Sequence, residues 1–440
     1  MKIRLLTLFL IVITGQVFAQ TTAKGLEGSW QGLLDAGGTK IRLIVTVTKS
    51  ETGAYAGKFE SPDQGATIPI DTVTLSGDDA RFEVKAAGIV FEGVLNKERT
   101  ELNGKFMQAG QVIPLILKRG EPADVSTAAP KPKPKPDYSA PIDAPYTAEN
   151  VSVKTPAGHT LAGTLTLPKI ASKKKRVGGI IIITGSGQQN RDGELGIEGY
   201  KPFRLLADQL ARRGIAMLRM DDRGTGESGG VFKGSTSADF AEDIRAGLAF
   251  LRLRPEIRAD RLGVLGHSEG AVITPMVAEK ETDLRAIVLL AGVADPARSA
   301  LHFQIKNMYD HDKSLSAEKR AELTAAIPAR IDKMMEADPW MKFFLTYDPA
   351  ATMRHVKTPV LILTGSNDKQ AAPEQVALIA AAFKAAGNKD VTAQVLPGLN
   401  HLLVEDADGF PGNYAKLPPP VTMRSDVLKI IVDWLEKRLR

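Results

Sequence analysis

Two patterns of apolar and polar positions divide the chain. Between residues 26 and 118, short runs such as TKIRLIVTVTK and IVFEGVLN alternate between apolar and polar residues, which predicts half-buried β-strands. Turn-forming segments such as SPDQG and NKER separate these runs, and no helical period interrupts them. The pattern predicts a small all-β barrel or sandwich over residues 24–120.

From about residue 146 onward, apolar runs alternate with segments of helical period. A leading hairpin is predicted to turn at Ala157 and Gly158, and the runs GGIIII, RLGVLG and PVLILTG read as core strands. Helices such as PFRLLADQLARRG and DVLKIIVDWLEKRL are predicted between and after them. Strands that are apolar throughout are buried on both faces, so residues 146–440 are predicted to form a mostly parallel α/β sheet.

The first 19 residues have the layout of a secretory signal peptide. A short basic start precedes an uninterrupted apolar run, and Val17, Phe18 and Ala19 form the expected cleavage site. The alternative is an uncleaved membrane anchor, but the run is short for a span of about 20 residues. We expect export to a periplasm or to the outside, with no stable membrane span after cleavage.

A proline- and lysine-rich segment separates the two patterned regions. The sequence APKPKPKPDYSAP alternates proline with like charges, which favours an extended chain. Residues 121–145 are therefore predicted to be a linker.

Composition excludes several classes of function. The 440 residues are 43% hydrophobic and 25% charged, as in ordinary soluble proteins, and they include no cysteine. Disulfides, thiolate catalysis and thiolate metal sites are therefore excluded. The formal charge is +6, but the basic tracts at residues 131–135 and 173–176 fall in linker or turn segments. A basic face with interleaved aromatic residues is missing, so no nucleic-acid partner is expected.

The motif G-x-S-x-G occurs twice, around Ser228 in GESGG and around Ser268 in GHSEG. A nucleophile elbow requires this motif in a sharp turn between a strand and an immediately following helix. Ser268 has that context, whereas several loop residues follow Ser228 before the next helix. Ser268 is predicted to be the nucleophile, and Ser228 to be a structural residue of a turn.

A serine nucleophile requires a base and an orienting acid. His401 follows the carboxyl end of a predicted strand, which is where sites form in parallel sheets. The other five histidines lie in the leading hairpin, in the elbow, in a helical insertion or at the opposite end of the sheet: His159, His267, His302, His311 and His355. The predicted acid is Asp368, after the strand PVLILTG, and Asp295 is its competitor.

Backbone N–H groups are expected to form an oxyanion hole. One should come from Glu269, after the nucleophile, and the other from Ser186 with Gly187 adjacent, in the loop TGSGQQNRDGE. The alternative for this glycine-rich turn is a phosphate-binding loop, but the turn lacks both the G-x-x-x-x-G-K and the G-x-G-x-x-G motif. No metal ion and no organic cofactor are implied.

The segment from about residue 146 to 440 resembles the α/β-hydrolase superfamily. The matching motifs are GHSEG, GSGQQNRDGE, LRMDDRGTGES, LTGSNDKQAAP and NHLL, and the GSG…RD loop is similar to that of bacterial serine acyl esterases with an N-terminal β domain. The resemblance implies a triad of Ser268, Asp368 and His401, and a helical cap at approximately residues 295–350. Six cap residues are candidates for lining an acyl pocket or for packing cap against core: Met334, Met335, Trp340, Met341, Phe343 and Phe344.

We therefore expect a serine hydrolase that cleaves a small-molecule carboxylic ester through an acyl-enzyme intermediate. An aminopeptidase, a thioesterase or an acyltransferase with the same triad is the alternative within enzymes. A non-catalytic binding protein on a hydrolase fold is the alternative outside them. The acyl and alcohol groups, the role of the β domain and the oligomeric state do not follow from the sequence.

Overall fold

The computed structural model describes residues 25–120 and 136–440, except residues 37–38, 64–65, 85–87, 109–110, 196, 198 and 314. The predicted signal peptide and residues 121–135 of the predicted linker lie outside the described residues. The chain divides into two compact units, Met1–Pro134 and Lys135–Arg440. Within the described part of the chain, no helix is long and apolar enough to cross a membrane.

The first unit is one antiparallel sheet of nine described strands. They are β1 (Gly28–Ala36), β2 (Thr39–Lys49), β3 (Tyr55–Ser61), β4 (Ala66–Ile70), β5 (Thr72–Ser76), β6 (Asp79–Val84), β7 (Ile89–Leu95), β8 (Glu101–Gln108) and β9 (Gln111–Arg119). Their order in the sheet is β4-β3-β2-β1-β9-β8-β7-β6-β5. The two end strands are consecutive in the chain and only Asp71 separates them, so the sheet curls until it almost closes. The predicted barrel is thus confirmed in this near-closed form.

Alternate residues of these strands fill the interior of the curled sheet. Trp30, Phe82 and Phe91 are fully buried there, and the rings of Phe82 and Phe91 stack with centroids 5.4 Å apart. Two of the nine strands, β1 and β4, were not among the predicted segments. At Gly32 in β1, an added Cβ would lie 2.6 Å from the carbonyl oxygen of Ile116, so the close approach of β9 requires glycine.

The second unit contains an eight-stranded sheet with helices on both faces. The strands are β10 (Tyr146–Lys154), β11 (Thr160–Pro168), β12 (Val177–Ile183), β13 (Ala216–Met220), β14 (Ile257–His267), β15 (Ala286–Leu290), β16 (Val360–Gly365) and β17 (Val391–Leu396). Their order is β10-β11-β13-β12-β14-β15-β16-β17. The pairs β10–β11 and β11–β13 are antiparallel, and the other pairs are parallel. The predicted α/β fold class is confirmed.

Helices cover the two faces of this sheet. Every residue of β12, β13, β15 and β16 is therefore buried. The helices outside the cap are α1 (Pro202–Arg212), α2 (Ser237–Leu253), α3 (Glu269–Lys280), α9 (Gln375–Ala385) and α10 (Ser425–Leu439). Helices α1 and α10 pack on one apolar layer, and α2, α3 and α9 pack on the other. The loops at the carboxyl ends of the strands are not covered by these helices and are available to form a site.

Five helices between β15 and β16 form the cap: α4 (Ala297–His311), α5 (Ala317–Ala325), α6 (Ile327–Ala337), α7 (Pro339–Thr346) and α8 (Pro349–Met353). Ile305, Tyr309, Ile327 and Ile331 form part of an apolar core within the cap itself. The cap is therefore a packed substructure rather than an irregular loop.

The second unit begins earlier than the linker prediction placed it. The guanidinium of Arg191 lies 4.1 Å from the ring centroid of Tyr138, which is buried. Arg204 donates hydrogen bonds to the carbonyl oxygens of Asp137 and Ser139. Residues from about 136 onward thus pack on helix α1 and on the loop after β12.

Candidate active site

Ser268 lies in a strained turn between β14 and α3. Its φ of 57° and ψ of −117° are rarely adopted by residues other than glycine, and the turn brings the side chain to the carboxyl edge of the sheet. An added Cβ at Gly266 would collide with the backbone of Gly270, and one at Gly270 would collide with the carbonyl of Ile183. Both glycines of the motif are therefore required by close packing.

The structure brings Ser268, Asp368 and His401 together although 33 and 133 residues separate the paired positions. His401 Nε2 lies 3.0 Å from Ser268 Oγ, and His401 Nδ1 lies 2.8 Å from Asp368 Oδ2. Asp368 stands in the loop after β16 and His401 in the loop after β17, and both side chains are buried. The chain of contacts runs from carboxylate to imidazole to hydroxyl.

The hydrogen-bonding capacities of these groups fix the direction of each bond. An ionised Asp368 carboxylate can only accept, so a neutral His401 carries its proton on Nδ1 and donates it to Asp368. Nε2 is then left to accept the Ser268 hydroxyl. The other oxygen of Asp368 accepts hydrogen bonds from the backbone N–H groups of Gln370 and Ala371, at 2.7 and 2.8 Å. These bonds hold the carboxylate toward the imidazole.

The loop that carries His401 is braced by residues that were not assigned a role from the sequence. The side-chain oxygen of the fully buried Asn400 accepts from the backbone N–H groups of Leu402 and Val404. Tyr200 donates its hydroxyl to the Leu402 carbonyl at 2.8 Å. An asparagine next to a histidine is not itself a signal, so sequence reasoning could not single out these contacts.

His267, which was set aside as part of the elbow, supports the same loop. Its Nε2 lies 2.9 Å from the carbonyl oxygen of His401. Burial, together with the neighbouring His401, lowers the pKa of His267 to about 4. His267 is therefore neutral at physiological pH and donates one fixed hydrogen bond to the backbone of the His401 loop.

The competing candidates, Ser228 and Asp295, have other partners. Ser228 Oγ donates to the carbonyl of Asp221 at 2.8 Å and accepts from the backbone N–H of Ala162 at 2.9 Å. Asp295 accepts a hydrogen bond from the side chain of Gln375 at 2.8 Å. Ser228 thus joins a turn to β11, and Asp295 joins the start of the cap to α9.

A cavity of about 360 Å³ opens at Ser268 and His401. Its lining includes Ser186 and Glu269 of the predicted oxyanion hole, whereas Gly187 lines a separate space of about 30 Å³ beside Asp222. Gly185 approaches the nucleophile closely, since an added Cβ there would lie 3.2 Å from Ser268 Cβ. The glycine-rich loop after β12 therefore passes beside the nucleophile.

Much of the apolar lining of the 360 Å³ cavity comes from the cap. Of the six proposed cap residues, Trp340, Met341 and Phe344 line it. Phe343 instead stacks on Tyr347 at 5.6 Å, and Met335 packs in the cap core. The remaining apolar lining includes Val272, Val293, Ala297, Ala300, Leu301 and Leu345.

Asp222 lies beneath the glycine-rich loop, where it accepts hydrogen bonds from Thr184 Oγ1 and from the backbone N–H of Gln189, both at 2.8 Å. Burial raises the pKa of Asp222 to about 7, and the carboxylates of Glu269 and Asp221 add to the effect. The two hydrogen bonds oppose the shift without cancelling it. Asp222 therefore gains its negative charge in the folded protein only near neutral pH.

Asp222→Asn is expected to change how stability depends on pH. In the unfolded chain this carboxyl ionises near its ordinary pKa of 3.8, but in the folded protein it stays protonated up to about 7. Its contribution to stability is thus complete below about pH 4 and is lost as the pH rises to 7. As the pH rises between these values, the free energy of unfolding of the asparagine variant should increase relative to that of the wild type by on the order of 2–3 kcal/mol. This figure allows for partial contact of the carboxyl with solvent.

Chemical denaturation at pH 4.5 and 7.5 checks this expectation. Asp310→Asn is the control, because that carboxylate is paired with Lys306 on an exposed helix face. An equal gain for Asp222→Asn at both pH values would contradict the assigned shift.

Comparison with known proteins agrees with the architecture. The family model described as Serine aminopeptidase, S33 matches residues 196–408. Esterase EstD of Thermotoga maritima is 26% identical over 291 residues, which cover 64% of this chain and 66% of that protein. The uncharacterized protein PA2218 of Pseudomonas aeruginosa is 33% identical over 131 residues, which cover 30% of this chain and 33% of that protein. These matches thus span just under two thirds and one third of the relatives' lengths.

A solved structure aligns over nearly its whole length. The esterase Pf2001 of Pyrococcus furiosus aligns with 68% of this chain and 96% of its own, at 18% identity and a TM-score of 0.44.

Proposed function

Since the second unit of the chain belongs to the α/β-hydrolase superfamily, we propose that it is a serine hydrolase that cleaves carboxylic esters through an acyl-enzyme. Ser268 is the nucleophile, His401 the general base and acid, and Asp368 the residue that orients His401. The observation that carries the proposal is the continuous hydrogen-bonded path from Asp368 through His401 to Ser268, at 2.8 and 3.0 Å.

In the acylation step, Ser268 Oγ attacks the ester carbonyl carbon while His401 Nε2 takes the hydroxyl proton. The carbonyl oxygen becomes an oxyanion, for which the backbone N–H groups of Glu269 and Ser186 are the proposed donors. The tetrahedral intermediate then expels the alcohol oxygen, which receives the proton from His401. The product is an acyl ester on Ser268 and a free alcohol.

Deacylation repeats these steps with water. His401 takes a proton from water as the water oxygen attacks the acyl carbonyl. Collapse of the second intermediate returns the proton to Ser268 Oγ and releases the carboxylic acid. Asp368 stabilises the imidazolium formed in each half-reaction without itself accepting the proton.

The lining of the cavity favours an ester over the amino-terminal residue of a peptide. An aminopeptidase needs an acidic group to bind the ammonium group of its substrate. Among the described lining residues, Glu269 is the one acidic side chain outside the triad, and Ser237 and Trp340 already donate to it. A neutral, apolar acyl group matches the remaining walls better.

Steady-state kinetics with two matched sets of substrates tests the proposal. p-Nitrophenyl esters of two to twelve carbons and aminoacyl p-nitroanilides release related chromophores, so their kcat/KM values can be compared directly. We expect hydrolysis of the esters, with kcat/KM rising from acetate to a chain that fills the cavity. Hydrolysis of the anilides alone would favour an aminopeptidase, and turnover of neither set would favour a binding protein.

A further inference from the structure

The side chain of Glu269 has a role separate from that of its backbone. It directly follows Ser268, yet its carboxylate contacts none of the triad side chains and is 3% exposed. One oxygen accepts the hydroxyl of Ser237 at 2.6 Å and the indole N–H of Trp340 at 2.8 Å. The nearby hydroxyl of Ser186 also lowers the pKa of this carboxylate.

The three partners belong to three different parts of the second unit. Ser237 begins α2, Ser186 lies in the glycine-rich loop after β12, and Trp340 lies in α7 of the cap. The carboxylate itself is rooted in the elbow that presents Ser268. A single buried group therefore joins the nucleophile helix, the loop of the proposed oxyanion donor and the cap.

The bond to Trp340 is chemically specific. An indole N–H can only donate, and a bond to a carboxylate is stronger than one to a neutral acceptor. Burial raises the pKa of Glu269, whereas its hydrogen bonds from Ser237, Trp340 and Ser186 favour the charged form. Loss of any one donor therefore weakens the set that keeps the carboxylate in place.

Trp340 extends this connection into the wall of the cavity. Its ring stacks on Phe344 with centroids 5.3 Å apart and planes 9° apart, and both rings line the cavity at Ser268. The indole is thus held at its edge by the elbow and on its face by the cap. Its position relative to the nucleophile is set by a hydrogen bond rather than by apolar packing alone.

We propose that Glu269 is a positioning residue that fixes the indole of Trp340 and the Ser186 loop against the nucleophile elbow. Trp340, held in this way, is a specificity-determining residue that forms the wall along a long acyl chain. The inference rests on the proposed ester hydrolysis. It predicts that breaking the Glu269–Trp340 bond changes the discrimination between acyl chains, beyond any general loss of activity.

A double-mutant cycle on the full chain tests the proposal, with Trp340→Phe and Glu269→Leu. kcat and KM are measured on p-nitrophenyl acetate and p-nitrophenyl octanoate. Trp340→Phe keeps an aromatic wall but removes the donor, so the octanoate-to-acetate ratio of kcat/KM should fall about tenfold. A purely structural defect would lower kcat/KM on both esters by the same factor and leave the ratio unchanged.

Glu269→Leu removes the acceptor at similar volume and should lower the same ratio by about as much, with an additional loss of kcat on both esters because the elbow loses its bond to Ser237. The octanoate-to-acetate ratio of the double variant should be within about threefold of the ratio of either single variant, because both changes break the same Glu269–Trp340 contact. Ratios that fall independently, to about a hundredfold in the double variant, would overturn the proposal, as would an unchanged ratio in Trp340→Phe.

Trp434→Phe is the matched control. Its indole also donates to a side-chain oxygen, Thr392 Oγ1 at 3.2 Å, but it lies in α10 on the other face of the sheet. This variant should keep the wild-type ratio. If the wild type hydrolyses neither ester, the proposed function fails; if it hydrolyses both and the variants leave the ratio intact, only the inference about Glu269 and Trp340 fails.

Discussion

Ser268→Ala should lower kcat on p-nitrophenyl esters by roughly 10⁴-fold or more, with little change in stability. The variant loses the attacking oxygen, so no acyl-enzyme forms, and only binding and the oxyanion donors remain to assist water. A fluorophosphonate probe should modify the wild type at Ser268 and leave the variant unmodified. Mass spectrometry of the peptide that spans residues 262–280 detects the adduct.

Ser228→Ala is the matched control, because the same five-residue motif surrounds both serines. Ser228 Oγ bridges Asp221 and Ala162, so its removal should cost about 1–2 kcal/mol of stability and leave kcat within twofold. Probe on the peptide that contains Ser228, or full turnover in Ser268→Ala, would overturn the assignment of the nucleophile.

Asp368→Asn should lower kcat by roughly 10³–10⁴-fold while the fold is retained. The asparagine oxygen can still accept from the backbone N–H groups of Gln370 and Ala371. The amide nitrogen then faces His401 Nδ1 and, as a donor, favours the tautomer with the proton on Nε2. That tautomer cannot accept the Ser268 hydroxyl.

Asp295→Asn supplies the comparison for this second expectation. Its carboxylate meets Gln375, so the variant should keep kcat within twofold. The measurement is kcat on one ester for both variants, with thermal unfolding to verify the fold. A large loss in Asp295→Asn with Asp368→Asn unaffected would reverse the two assignments.

The predictions from the sequence succeeded where the residue types of a segment had one clear physical explanation, such as burial of a strand that is apolar throughout. The apolar runs of β12, β15 and β16 can only be buried strands, and the order of strands and helices fixes the α/β sheet. The strand β1 was not predicted, and its Gly28, Gly32 and Asp35 are residue types that are depleted in strands. Its glycine at 32 reflects the approach of β9, which no local pattern records.

The candidate site shows the same division. Ser268 could be predicted from its motif, and His401 and Asp368 from their places after strands. The roles of His267, Asn400 and Trp340 depend on hydrogen bonds to groups 134, 4 and 71 residues away along the chain, which are a backbone carbonyl, a backbone N–H group and a buried carboxylate. Such partners are chosen by the fold, and a histidine or tryptophan alone does not reveal them.

The position of the cap between β15 and β16 has a consequence for how sequences with this fold can diversify. These strands are direct neighbours in the sheet, and the cap has an apolar core of its own. Cap sequences can therefore drift, lengthen or be exchanged without altering the strands that hold the triad. Glu269 limits that freedom, because it demands a donor at one point of any replacement. Selection for new substrates can act on the rest of the cap while this single attachment is kept.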